Sequence, residues 1–332
     1  MLMEKDLLSI NDLTAEEIKA LLDEANKIKR NPKEYENALH RKVVAMVFEF
    51  PSLRTKASFA VAMYQMGGHV HLLRTPPLEI FPENLRNLAL WGGDAWAFEA
   101  VKDQARVLSR YVNAIVARTR SHTTLEMMAK YSSVPVINAE SNYHHPCQTL
   151  ADLLTIKEKK KKFEGLKVTC VGNLGVPRGG ILMGLITACA KLGMDATACC
   201  PEEEDFLPTS QAEKPLWDSA LEDAKKTGAR LEINHDPYEA VKDADIVYSD
   251  IFWLSVDDMT SLGKSVVLFS QYQVNQKLVE HAKPDAIVMH CLPANRGIEI
   301  TSKVMDGPHS VVYDQAENRL HAQKAILISL IK

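Results

Sequence analysis

No apolar run in the 332 residues reaches the roughly 18–20 that a membrane-spanning helix needs. The first residues, Met1-Leu-Met-Glu-Lys-Asp6, place charges where a secretory leader requires an apolar stretch, so none is expected. Neither sign of charge dominates. The 39 Lys and Arg stand against 43 Asp and Glu, for a net charge of −4. Nothing therefore pulls the chain as a whole toward nucleic acid or an anionic membrane, and any anion site must be a local arrangement. The six cysteines (147, 170, 189, 199, 200 and 291) show no CxxC spacing. Most fall in apolar strand or helix patterns, which suits reduced core residues of a cytoplasmic protein. No metal-ligand cluster is visible. The glycines at 172, 175, 179 and 180 do not form GxGxxG, Pro177 stiffens the turn, and the next strand closes without an acidic residue. A dinucleotide-binding domain is rejected on those grounds. There is no internal repeat.

The chain is 46% hydrophobic and 25% charged, as in a soluble globular protein, and its length suits two domains. Thr14 with Glu17 reads as a capping box opening a helix that runs to about Lys29. Strand patterns at 43–50, 70–73, 114–117 and 134–138 alternate with helical patterns at 55–66, 101–111 and 123–131. The alternation restarts at 166–171 and continues to a strand at 286–289, then to an amphipathic helix at about 317–331. Such alternation predicts an α/β fold with parallel sheets and helices on both faces. Residues 74–100 break the pattern. Pro76 and Pro77, then Trp91-Gly-Gly-Asp-Ala-Trp96, read either as a binding loop with aromatic anchors or as surface packing at an oligomer interface. The run Lys157-Glu-Lys-Lys-Lys-Lys162 suits a solvated helix C-terminus and lies near a plausible domain junction.

One short stretch organises the rest. An apolar strand breaks at Pro51, and a helical pattern restarts beyond Ser52, Leu53, Arg54 and Thr55. A hydroxyl-rich turn opening a helix offers backbone N–H groups and a positive helix end, and Arg adds a fork that matches phosphate oxygens. The stretch reads as a phosphate-binding turn, or else as an ordinary N-cap beside a surface Arg.

Three further motifs stand beside Pro51-Ser-Leu-Arg-Thr55. They are Arg118-Thr-Arg-Ser-His122, His145-Pro-Cys-Gln148 and His290-Cys-Leu-Pro293, the last two about 145 residues apart. Together they resemble the aspartate/ornithine carbamoyltransferase family, on its ornithine side. Ala105-Arg-Val-Leu-Ser-Arg-Tyr111, Ala151-Asp-Leu-Leu-Thr-Ile156, Tyr272-Gln-Val-Asn275 and Ala316-Glu-Asn-Arg319 extend the resemblance over nearly the whole chain.

The resemblance implies two doubly wound parallel-sheet domains with the active site between them. Residues 1–150 with the C-terminal helix 317–332 would bind carbamoyl phosphate, and 151–316 the amino acid. The C-terminal helix would pack back on the first domain, and the protein would be a homotrimer with shared sites and no cofactor. It also implies roles. Ser52, Leu53, Arg54 and Thr55 grip the phosphate. Arg118 and His145 polarise the carbonyl. Gln148 and the backbone of Leu292 meet the carbamoyl NH2, and Arg319 adds a contact. Asp250 and Cys291 face the incoming amine. The implied reaction is carbamoyl transfer to ornithine. Another acceptor (putrescine, an N-acylated ornithine or other diamine) or a non-catalytic paralogue stays open.

The alternatives stay open because the sequence departs from the family. Leu53, Lys56 and Ala60 replace Thr, Arg and Glu in and after the phosphate turn. Gly172-Asn-Leu-Gly-Val-Pro-Arg178 replaces an Asn-rich turn, leaving Gly175 or Val176 where an Asn is expected and Arg178 as a new cation. In Asp250-Ile-Phe-Trp-Leu-Ser-Val256 the Ser-Met-Gly loop keeps Ser255, followed by Val256, but loses Met and Gly. The carbamoyl phosphate half reads as kept and the amino acid half as rebuilt.

Overall fold

A computed structural model describes residues 6–74, 99–175, 180–210, 213–252 and 267–331. The Trp-containing segment, Val176 and Arg178, and Ser255 with Val256 lie outside them. By contacts the chain divides into unit 1 (1–12, 19–147 and 320–332) and unit 2 (13–18 and 148–319).

Unit 1 holds a four-stranded parallel sheet in the order β2-β1-β3-β4. Its strands are β1 (Val43–Phe48), β2 (His69–Arg74), β3 (Ala114–Arg118) and β4 (Val136–Asn138). Its helices include α2 (Leu53–Gln65), α3 (Val101–Leu108) and α4 (His122–Tyr131), after α1 (Ala15–Arg30). Residues 44–48 of β1 and 114–117 of β3 are buried, as continuous apolar runs in a sheet covered on both faces should be. From β1 the chain crosses to β2 on one side, and β3 then returns to the other, so a topological switch point lies between β1 and β3.

In unit 2 the parallel sheet runs β7-β6-β5-β8-β9. Its strands are β5 (Lys167–Val171), β6 (Asp195–Cys199), β7 (Leu231–Asn234), β8 (Ile246–Ser249) and β9 (Ile287–His290). The switch point lies between β5 and β8. Helices α5 (Pro146–Lys160), α6 (Gly180–Leu192) and α7 (Lys214–Thr227) precede three shorter or later ones. These are α8 (Pro237–Val241), α9 (Gln276–Val279) and α10 (Ser302–Met305), and the last helix, α11, runs Val312–Leu330.

Three details differ from the periodicity. The helix α11 begins at Val312, five residues before the expected start at about Glu317, because Gln315 and Asn318 are buried polar residues that hide the apolar period. Its second half, residues 322–327, is buried on every side rather than amphipathic, and residues 320–332 group with unit 1. In the lysine run, Lys160 is largely covered and pairs with Asp285, whereas Lys159, though paired with Asp314, stays open to solvent. The capping box forms as read: Glu17 N–H donates to Thr14 Oγ1 at 3.1 Å, and Thr14 N–H to Glu17 Oε2 at 2.8 Å.

Candidate active site

Apart from Arg319 on α11, the described candidates sit at or past the carboxyl end of a strand or on the helix that follows, where open α/β sheets bind ligands. In unit 1, Ser52 is the N-cap of α2, and its Oγ accepts from Thr55 N–H at 3.3 Å. The cap reading and the phosphate-turn reading are therefore compatible. The capping hydroxyl orders the turn, and the positive end of α2 faces outward from the end of β1. Thr55 is buried and Arg54 partly so, whereas Leu53 is 79% exposed. Lys56 finds no carboxylate at position 60. Its Nζ lies 5.3 Å from the Phe48 ring centroid, a cation–π contact that replaces an ion pair along the helix.

The pairing of Phe48 with Arg118 brings the ends of β1 and β3 side by side. The Arg118 guanidinium stacks 4.3 Å from the Phe50 ring and donates to Glu140 Oε2. His145 Nε2 lies 3.8 Å from the same Glu140 oxygen. One carboxylate thus binds Arg118 and stands near His145, the two groups assigned to the carbonyl. Glu140 has φ +112°, a region non-glycine residues avoid. Two hydrogen bonds fix it there. Glu140 N–H donates to Asn138 Oδ1 at 2.9 Å, and Thr119 N–H donates to the Glu140 carbonyl at 3.0 Å. Asn138 also donates to the His144 carbonyl at 3.1 Å, tying the turn that presents His145. Next to it, burial holds His144 neutral, with a pKa of about 3.

In unit 2, Ser249 pairs with His290 across β8 and β9, so Asp250 and Cys291 emerge together. Cys291 Sγ donates to Asp250 Oδ1 at 3.0 Å, and Ile251 N–H donates to the same oxygen at 2.7 Å. Both side chains are almost wholly buried. Leu292 takes a left-handed φ of +58°, and its N–H donates to His290 Nδ1 at 2.9 Å. With Nδ1 accepting, the ring proton belongs on Nε2, which lies 3.3 Å from Glu299 Oε1. The Leu292 backbone is therefore presented by a braced turn. Gln148, on α5, accepts from Arg319 Nη1 at 2.5 Å and donates to Asp152 Oδ1 at 2.8 Å. The other cysteines behave as core thiols, and burial pushes Cys200 up to about 12.

Sequence reasoning missed four residues here: Asn138, Glu140, Asp152 and Asn173. Asn173 lies two residues past the end of β5, beside Gly172. It is buried, and its Oδ1 accepts from Gly175 N–H at 2.9 Å. Among the described residues its Nδ2 has no partner. Gly175 itself is required, since a Cβ there would lie 1.8 Å from the Asp205 carbonyl. The signal for Asp152 was a lone carboxylate in an apolar helix, four residues after Gln148. Glu140 and Asn138 carried no periodic signal, because their roles arise from a turn. Among the described residues no group of three or more His, Cys, Asp and Glu could hold a metal ion.

Comparison with known proteins defines the class. Residues 5–158 match the aspartate/ornithine carbamoyltransferase carbamoyl-P binding domain, and residues 164–330 match the Asp/Orn binding domain of the same family. The chain belongs to the aspartate/ornithine carbamoyltransferase family. It is similar to an ornithine carbamoyltransferase of Methanosarcina acetivorans, 44% identical over 99% of this chain and the whole of that relative. Its fold matches the solved ornithine carbamoyltransferase of Pyrococcus furiosus with a TM-score of 0.85, at 43% identity over 98% of this chain and 97% of that one. An acetylornithine transcarbamylase complexed with acetylcitrulline has the same fold, with a TM-score of 0.84, at 29% identity over 99% of each chain.

Proposed function

We propose that this chain moves the carbamoyl group of carbamoyl phosphate to the side-chain amine of ornithine, giving citrulline and phosphate. The observation that carries the reading is the Asp250–Cys291 pair, a carboxylate and a thiol 3.0 Å apart in the segment that matches the Asp/Orn binding domain. Full-length similarity to ornithine carbamoyltransferases supports the choice of acceptor.

In this reading residues 1–150 with 317–332 serve carbamoyl phosphate, and 151–316 serve the amino acid. The phosphate rests on Ser52, Arg54, Thr55 and the backbone of Leu53 at the start of α2. Arg118, His145 and the Thr55 hydroxyl draw charge onto the carbonyl oxygen and stabilise the oxyanion as it forms. Gln148 and the Leu292 backbone hold the carbamoyl NH2, with Arg319 beside Gln148. An alkyl amine is mostly protonated near pH 7, and only the neutral form attacks. Asp250, with Cys291 beside it, receives the amine and orients its lone pair. The C–N bond forms, the C–O bond to phosphate breaks, and the proton given up by the nitrogen passes to the departing phosphate. Arg178, Ser255 and Val256 are assigned to the amino acid's backbone groups. No cofactor enters.

The assembly we propose is a homotrimer with shared sites, located in the cytoplasm and serving arginine metabolism, without nucleic acid or membrane partners. An exposed apolar face supports self-association: Tyr64 is 82% exposed, and Leu53, Val61 and Leu72 are also open. A cavity of about 510 Å³ lined by Ser52, Leu53, Lys56 and Leu72 adjoins it. No described helix is long and apolar enough to cross a membrane. Sedimentation of the purified protein as a monomer would remove the assembly reading.

The decisive assay offers ornithine, putrescine and N-acetylornithine in parallel with carbamoyl phosphate. Citrulline from ornithine is expected. Preferential turnover of another amine would overturn the acceptor. Carbamoyl phosphate binding without turnover of any amine would overturn the enzyme reading.

A further inference from the structure

The carboxylate of Asp152 is wholly buried on α5, one helical turn beyond Gln148. Three donors converge on it. Gln148 Nε2 reaches Oδ1 at 2.8 Å, Gln315 Nε2 reaches the same oxygen at 2.7 Å, and the Tyr248 hydroxyl reaches Oδ2 at 3.0 Å. The far ends of the two glutamines are also engaged. Gln148 Oε1 accepts from Arg319, and Gln315 Oε1 accepts from His290 N–H at 2.9 Å. A carboxylate only accepts, so each neighbour must present a donor to it. An amide has one donor end and one acceptor end, so turning its NH2 toward Asp152 turns its oxygen the other way.

We propose that Asp152 is a positioning residue for carbamoyl transfer, its charge fixing the amide orientation of Gln148 and, through Gln315, the start of the turn that carries Cys291 and Leu292. The inference rests on the assignment of Gln148 and the Leu292 backbone to the carbamoyl NH2. Gln148 can accept from that NH2 only with its oxygen pointing toward Arg319. Arg319 only donates and holds the Gln148 oxygen from the other side, so a neutral residue at 152 does not reverse the amide but loosens its inner hold, because a charged acceptor gives way to a weaker one. Burial pushes Asp152 up to about 7, against the pull of its three hydrogen bonds and the Arg319 charge. The titratable and charged groups facing it are Tyr248 on β8, Arg319 on α11, Cys170 on β5 and Cys189 on α6. Tyr248 and both thiols are pushed well up and stay neutral through neutral pH, so Asp152 is the group in this cluster that changes charge there.

The test measures carbamoyl phosphate affinity by calorimetry, beside citrulline formation. Asp152→Asn is expected to weaken binding about tenfold, the size of one lost hydrogen bond to a charged partner. In a Gln148→Leu background the same substitution should add clearly less than about tenfold, because only the route through Gln315 remains. A purely structural role predicts full additivity, and that result, or wild-type affinity in Asp152→Asn, overturns the proposal. Should Asp152→Asn fail to fold, Tyr248→Phe serves instead. It removes one hydrogen bond that favours the charged form, so the fall in affinity below pH about 7 should begin at higher pH. An unmoved acid limb overturns the inference. A wild-type protein that binds carbamoyl phosphate but forms no citrulline would count against the function alone, since the affinity readout tests Asp152 separately.

Discussion

Glu140→Gln is the most informative single change in unit 1. The substitution keeps shape and removes one charge from a carboxylate that engages both Arg118 and His145. If those two groups receive carbamoyl phosphate, its oxygens compete with Glu140 for the same donors. The Arg118 and Glu140 side chains are 11% and 20% exposed, so water screens the pair only in part. A hydrogen bond between charged groups in such a place contributes about 1.5–3 kcal/mol, and partial exposure argues for about the lower end. A neutral amide at 140 would still accept from Arg118, for about 0.5–1 kcal/mol. The difference, about 1 kcal/mol, corresponds to roughly fivefold tighter binding of carbamoyl phosphate. Glu140→Ala should give about tenfold; alanine keeps a Cβ and so leaves the positive φ unrelieved. Calorimetric titration with a non-hydrolysable analogue reads both. Unchanged or weaker binding in both variants would refute competition and leave Glu140 as a support that holds Arg118 in place.

Other expectations follow from the same geometry. Arg54→Ala should weaken carbamoyl phosphate binding at least about a hundredfold, since a guanidinium–phosphate contact is charge-assisted on both sides; wild-type affinity in equilibrium binding would sink the phosphate-turn assignment. Asp250→Asn should raise the ornithine KM about tenfold or more and leave carbamoyl phosphate affinity within about twofold, as steady-state kinetics and calorimetry will show. Thr14→Ala breaks the capping box and should cost about 1 kcal/mol in urea unfolding with activity intact.

The alternation of β and α patterns, the absence of a dinucleotide fingerprint and the placement of Ser52, Arg118, His145, Asp250 and Cys291 at strand ends were all legible in the residue order. Apolar periodicity and helix-breaking residues are local properties, and a parallel α/β sheet makes them periodic in sequence. The start of α11 was not legible, because Gln315 and Asn318 are polar yet buried, satisfied by Asp152, His290 and Thr155, which lie far away in the chain. The same holds for Glu140. Its φ and its two partners are set by a turn whose backbone is held by Asn138 and Thr119.

For this protein, then, the sequence by itself determined the layer architecture and the kinds of side chain that end each strand, down to the Ser-x-Arg-Thr stretch that opens α2. Tertiary structure alone decided which of those side chains meet. It set Cys291 against Asp250 through the register of β8 and β9, and put Glu140 on both Arg118 and His145. It also gathered two glutamines and a tyrosine from α5, β8 and α11 around Asp152. The physical reason is that hydrogen-bond partners are fixed by strand register and helix packing, which join residues as far as 163 positions apart and leave no trace in local pattern.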